Sequence, residues 1–67
     1  MITYKIDVLT ELEKAGFPQK RLRAEKLIGQ SSITNLRKGN MVGINVLETL
    51  CELLNMQPGD IIEYKLF

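Results

Sequence analysis

The sequence predicts a small all-α domain of five helices that ends in a short extended C-terminal tail. The first observation is a pair of short helices joined by a tight bend within Gln19–Gly39, whose apolar positions are Leu22, Leu27, Ile28, Ile33 and Leu36. The second is the strongly patterned stretch Ile44–Asn55, which has the apolar stripe of a helix. The third is an alternating apolar tail over residues 61–67.

Length and composition limit the function classes. A chain of 67 residues makes one domain with a small core and little room for an enclosed active site. The single cysteine excludes an internal disulfide framework and fits a reducing cytoplasm. The chain has no histidine, so it lacks the commonest general base and metal ligand. We therefore expect a cytoplasmic protein that is not an enzyme, with no cofactor, metal, small-molecule ligand or membrane span.

The N-terminal segment predicts a helix within Met1–Ala15, capped by Thr3 and stopped by Gly16. Apolar side chains at three- and four-residue spacing support it: Ile6, Leu9, Leu12 and Ala15. An alternative is an edge strand over Ile2–Ile6, because threonine and tyrosine favour strands.

The next two helices are predicted over Gln19–Leu27 and Gln30–Lys38. Side-chain oxygens in the run Gly29–Ser32 are expected to start the third helix, and Gly39 is expected to end it in a left-handed conformation. Met41 or Val42 should then fill the edge of the core.

The C-terminal third predicts a helix over Ile44–Asn55, then a turn or single helical turn at Pro58–Asp60. The tail, Ile61–Phe67, alternates as a strand does, with Ile62, Tyr64 and Leu66 on one side. It is too apolar to hang free in water, so it folds over the helices, pairs with the N-terminal segment or meets a second copy.

Charge is divided unevenly along the chain. Residues 19–40 carry six cationic side chains and one carboxylate (net +5), whereas the rest carries three and seven (net −4). Such asymmetry is typical of a domain that places one face on phosphates, although a solvated basic face has the same pattern.

These features together resemble the Cro/repressor-type (XRE-like) helix-turn-helix family. The residues that carry the resemblance are Leu22, Ile28, Ile33 and Leu36, the ending LRKGN and the run LETLCELLNMQPGDIIEY. The resemblance spans nearly the whole chain and implies a single lambda-repressor-like domain over residues 1–67, with its helix-turn-helix core at 19–39.

Two positions depart from the family pattern. Arg23 stands where the family usually has alanine, and Leu27 stands where it usually has the glycine of the turn. Arg23 is expected to pack its stem and keep its head in water, and the strain of the bend is expected at Gly29.

The resemblance also implies a DNA-binding surface. On the third helix it implies base-facing side chains at Gln30, Ser31, Thr34 and Asn35, and amide side chains can bond adenine bidentately. Phosphate contacts are implied or expected at Gln19, Lys20, Ser32, Arg37, Lys38 and Asn40. Ser32 could equally cap the helix, and Asn40 could use its side chain or its backbone.

The expected function is a sequence-specific transcriptional regulator, a repressor that binds double-stranded DNA as a homodimer. The tail from Ile61 to Phe67 and the adjacent face of the fourth helix form the candidate dimer surface, although burial of the tail within one subunit is an open alternative. The competing function is a protein-interaction module of the same fold, such as an antirepressor or antitoxin.

Overall fold

The computed structural model describes residues 1–66 and places seven short elements along the chain. Two strands and five helices follow in the order β1 (Ile2–Tyr4), α1 (Val8–Lys14), α2 (Gln19–Ala24), α3 (Gln30–Lys38), α4 (Ile44–Leu54), α5 (Pro58–Ile61) and β2 (Ile62–Tyr64). Five helices are therefore present as predicted, but the domain is not purely α-helical. Phe67, the last residue of the predicted tail, lies outside the described residues.

The N-terminal segment differs most from the sequence prediction. Residues 2–4 form a strand, which is the alternative interpretation, and Thr3 does not cap a helix. The helix begins only at Val8, where Asp7 caps it by accepting a hydrogen bond from the Thr10 backbone N–H at 3.3 Å. Aspartate is a better N-cap than threonine, and a strand partner is available for residues 2–4, so the helix starts late.

That strand partner is the C-terminal tail. β1 and β2 pair antiparallel with Ile2 opposite Tyr64 and Tyr4 opposite Ile62. Backbone hydrogen bonds of 2.8 Å extend the pairing at both ends, from the Lys65 N–H to the Met1 carbonyl and from the Lys5 N–H to the Ile61 carbonyl. Of the three arrangements open for the tail, pairing with the N-terminal segment is the one observed.

The core lies between the helices and the inner end of the sheet. Nine apolar side chains are buried, drawn from all five helices and the turn before α3: Val8, Leu12, Leu22, Ile28, Ile33, Leu36, Leu47, Leu50 and Ile61. Tyr4, Ile62 and Val42 pack against this cluster, whereas Met41 is exposed, so Val42 is the residue that closes the core edge. A core of this size leaves a 67-residue domain with little surplus stability.

The first four helices end in the same way. A residue in the left-handed conformation stands one or two positions after the last residue of each of these helices, at Gly16, Lys26, Gly39 and Asn55. In each case the next backbone N–H bonds back five residues, as in Leu27 N–H to the Leu22 carbonyl at 3.0 Å. This is the Schellman type of helix end, which satisfies carbonyls that the helix itself leaves free.

The bend between α2 and α3 corrects two expectations. α2 ends at Ala24 rather than Leu27, so its left-handed residue is Lys26. Gly29 has an ordinary φ of −69° and serves as the N-cap of α3, so the expected strain at Gly29 is wrong. No side-chain hydrogen bond caps α3, so the expectation that serine oxygens start this helix is also wrong.

The remaining boundaries match the hydrophobic pattern closely. α3 spans the predicted residues and ends at Gly39 with φ +82°, which confirms its left-handed conformation. α4 stops one residue before the predicted end, because Asn55 takes the left-handed position. α5 is a single helical turn opened by Pro58, and the Asp60 carboxylate accepts a hydrogen bond from the Gln57 backbone N–H at 3.1 Å.

Candidate nucleic-acid interface

α3 has one face in the core and the opposite face lined by polar side chains. Ile33 and Leu36 are buried and hold the helix on the core. With 3.6 residues per turn, the side chains opposite this pair are Ser31, Thr34, Asn35 and Lys38. The sequence therefore places short hydrogen-bonding groups and a cation on the face that the core does not use.

The four residues predicted to face bases differ in their exposure and in their hydrogen bonds. Gln30 and Ser31 are exposed, and Thr34 and Asn35 are partly buried. The Thr34 hydroxyl donates to the Gln30 backbone carbonyl at 3.0 Å, inside the helix. Its proton is thus already used, and Thr34 can offer a partner only its methyl group and hydroxyl lone pairs.

Gln19 links α2 to the far end of α3. It is the first residue of α2 and is partly buried. Its side-chain oxygen accepts hydrogen bonds from Arg37 Nη2 at 3.2 Å and from Arg23 Nη2 at 3.4 Å. Arg37, which sits at the end of α3, is therefore brought to the same place as the predicted phosphate-binding Gln19.

The other predicted phosphate contacts lie around this pair of helices. Lys20 and Lys38 are exposed on α2 and α3, and Ser32 is partly buried in the first turn of α3. The backbone of Asn40 is fully engaged, because its N–H donates to the Asn35 carbonyl at 2.8 Å and its carbonyl accepts from the Tyr4 hydroxyl at 2.8 Å. Only the Asn40 side chain is left to reach a phosphate.

Arg21 has a structural role that separates it from the other cations of this region. Its guanidinium bonds the Glu25 carboxylate at 2.6 Å and the Gly16 carbonyl at 2.8 Å, and it lies 4.6 Å from the centre of the Phe17 ring. Glu25 is the only carboxylate within residues 19–40. The other five cations of this segment are exposed and share no ion pair with a carboxylate in the described chain: Lys20, Arg23, Lys26, Arg37 and Lys38.

Sequence reasoning missed the contact of Arg23 with this site. Arg23 follows Gln19 by four residues, which places the two side chains on the same face of α2. This spacing of four residues is the sequence signal for the contact.

Residues 1–66 contain neither a cluster of metal ligands nor a membrane-spanning helix. No group of three or more histidine, cysteine, aspartate or glutamate side chains is arranged to hold a metal ion. No helix in the same range is both long enough and apolar enough to cross a membrane.

Known proteins share this sequence pattern. The family model of the Cro/C1-type HTH DNA-binding domain matches residues 5–66. A Bacillus subtilis (strain 168) protein described as an uncharacterized HTH-type transcriptional regulator, YozG, is 31% identical over 64 residues, covering 96% of this chain and 76% of the relative. No solved structure gives a significant match. The chain belongs to the Cro/C1-type helix-turn-helix family of DNA-binding domains.

Proposed function

We propose that this protein is a sequence-specific transcriptional regulator that represses by occupying an operator, with α3 in the major groove. The observation that carries the proposal is the division of α3 into two faces: Ile33 and Leu36 lie in the core, and Ser31, Thr34, Asn35 and Lys38 lie on the opposite face. The contact between Gln19 and Arg37 supports it, because it joins α2 to the last turn of α3. Within a helix-turn-helix domain, such a surface can read base edges from α3 and hold phosphates from both helices.

Base readout falls to Gln30, Ser31 and Asn35, with Thr34 contributing mainly its methyl group. Amides can bond adenine through two hydrogen bonds, and a threonine methyl group can contact the methyl group of thymine. Lys20, Lys38 and the Asn40 side chain then position the domain on the backbone, as does Gln19 with Arg37. Ser32, partly buried in the first turn, is a further phosphate contact.

We further propose that the protein binds as a homodimer in the cytoplasm. One small domain makes few base contacts, and two copies would place their α3 helices in successive major grooves about 34 Å apart. Tyr64 and Leu66 are 67% and 83% exposed, and Ile44 at the start of α4 is 70% exposed. These apolar side chains are the part of the predicted dimer surface that remains available, because Ile61 and Ile62 already pack within the subunit.

Selection of bound duplexes from a random DNA pool tests the proposal. An inverted repeat with half-sites about one helical turn apart is the expected result. If no sequence is enriched over background, the competing function, a protein-interaction module of the same fold, replaces DNA regulation.

Two matched variants then test the division between reading and positioning. Asn35→Ala should weaken binding to the selected site by roughly 1–3 kcal/mol and leave random-sequence binding almost unchanged. Lys38→Ala should weaken both and lower the dependence of log K on log salt by about one. Equal losses on both kinds of DNA for Asn35→Ala would remove Asn35 from the base-reading set.

A further inference from the structure

We propose that Arg23, Arg37 and Gln19 form one binding site for a single phosphodiester group of the DNA backbone. The inference rests on the proposed function, and it adds Arg23, which lies four residues after Gln19 on α2. We call these three residues the arginine notch.

The first step is the convergence of two cations on one neutral atom. Arg23 Nη2 and Arg37 Nη2 lie 3.4 and 3.2 Å from the same Gln19 side-chain oxygen. Arg23 comes from α2 and Arg37 from the last turn of α3, so two separate elements bring these charges together.

The second step is the missing counter-charge. The three ion pairs between side chains of residues 1–66 use other cations, namely Lys14, Arg21 and Lys65. Two guanidinium groups at one place repel each other, and an amide oxygen carries only a partial charge that cannot neutralise them. A phosphate carries a full negative charge and accepts bidentate hydrogen bonds from arginine, so it is the ligand that this arrangement suits.

The third step is the orientation of Gln19. The Gln19 oxygen accepts from both arginines, and no hydrogen bond among the described residues uses the Gln19 NH₂ group, so this group keeps two donor protons. The notch therefore offers donors from three side chains and no free acceptor. Arg21 lies on the same helix but is already held by Glu25, so it takes no part.

Arg23→Ala is the central variant for testing the notch. Alanine is the best helix former and Arg23 is exposed, so the variant should fold. Lys14→Ala is the matched control, because it removes the same charge from an exposed side chain on α1. Arg37→Ala and the double Arg23→Ala/Arg37→Ala variant complete the set.

The measurement is fluorescence anisotropy of a labelled random-sequence duplex across a salt series. Wild type should bind with a steep salt dependence, which establishes DNA binding before any variant is compared. Each arginine variant should lose roughly threefold to tenfold in affinity near 0.1 M salt, whereas Lys14→Ala should match wild type. The double variant should lower the salt slope by about one, because only one phosphate contact disappears.

Three outcomes of these binding measurements would overturn the proposal, and each has a separate meaning. If Arg23→Ala behaves as Lys14→Ala does while Lys38→Ala still weakens binding, DNA binding stands but Arg23 takes no part in it. A double variant whose slope falls by two, with affinity losses that multiply, would show two independent phosphate contacts. If wild type does not bind DNA at all, the proposed function fails together with the notch.

Nuclear magnetic resonance of the Gln19 side-chain NH₂ group gives a readout that a merely structural link would not move. Addition of the duplex should shift this signal in wild type, because the proposed phosphate accepts a hydrogen bond from the Gln19 NH₂ group. If the signal is unchanged under saturating DNA and the arginine variants alter only the unfolding temperature, the three residues only join α2 to α3 and do not bind a phosphate.

Discussion

Lys26→Gly should raise the free energy of unfolding, although it removes a longer side chain. Lys26 has φ +54°, a left-handed conformation in which the Cβ atom crowds the backbone. The crowding costs roughly 1–2 kcal/mol for a residue with a Cβ atom, and glycine avoids it. Glycine also lowers stability by roughly 0.5–1 kcal/mol, because it makes the unfolded chain more flexible. The expected net gain is about 0.5–1 kcal/mol.

Urea denaturation followed by circular dichroism measures this gain. The midpoint should rise with an unchanged slope, and the melting temperature should rise by about 2–8 °C for a domain of this size. Lys26 is exposed and forms no ion pair with a carboxylate in residues 1–66, so no other contact is expected to obscure the effect.

Gly39→Ala is the matched control of opposite sign. Gly39 has φ +82°, and an added Cβ atom there would meet no other atom within 4 Å. Strain of roughly 1–2 kcal/mol, reduced by the same ~0.5–1 kcal/mol for the freedom of the unfolded chain, predicts a net loss of about 0.5–1 kcal/mol that reports the backbone conformation. A loss for Gly39→Ala without a gain for Lys26→Gly would refute the left-handed assignment at Lys26 and the account of the bend.

Two further predictions concern the sheet. Thr3→Val should leave stability unchanged or raise it by up to about 1 kcal/mol in urea denaturation, because the buried Thr3 hydroxyl has no hydrogen-bond partner among the described residues; a clear loss would mean that the hydroxyl has one. Tyr4→Phe should cost about 0.5–1.5 kcal/mol at neutral pH, since it removes the hydrogen bond to the Asn40 carbonyl. Burial raises the pKa of Tyr4 above 10.0, against a smaller opposing effect of a backbone hydrogen bond with Val42, so the fold favours the protonated phenol. The Tyr4 contribution to the free energy of unfolding should therefore be complete below pH 10 and shrink as the pH rises through the folded-state pKa. A difference in unfolding free energy between wild type and Tyr4→Phe that stays constant in that range would contradict this.

The sequence was most informative where a helix has a long apolar stripe and a clear stop signal. α3 has Ile33 and Leu36 on one face and Gly39 after its last turn, and its bounds were predicted to the residue. α4 was predicted to within one residue for the same reason. Periodicity over nine or more residues leaves little freedom in where a helix lies.

The strands were harder to predict, because their stability is not local. β1 has three residues, and its partner lies at the other end of the chain. A three-residue segment shows too little alternation to outweigh a neighbouring helix pattern, so only the pairing decides between the two.

The arginine notch shows a similar limit for the site. The resemblance to the family predicts a phosphate contact at Gln19, and the positive charge of Arg37 predicts another. Their contact joins residues 18 positions apart and depends on how α2 and α3 pack, which the sequence pattern does not specify.

The antiparallel sheet has a consequence for the order in which the domain opens and closes. Pairing of the two strands closes a loop that contains nearly the whole chain. Closing this long loop costs more conformational entropy than closing the short hydrogen-bonded turns of a helix. We expect the sheet to form after the helices during folding and its outer hydrogen bonds to exchange with solvent before those of α4. Tyr4 joins this late element to the carbonyl of Asn40, just beyond α3. Opening of the sheet would release that carbonyl, so we expect hydrogen exchange at the end of α3 to follow exchange in β1.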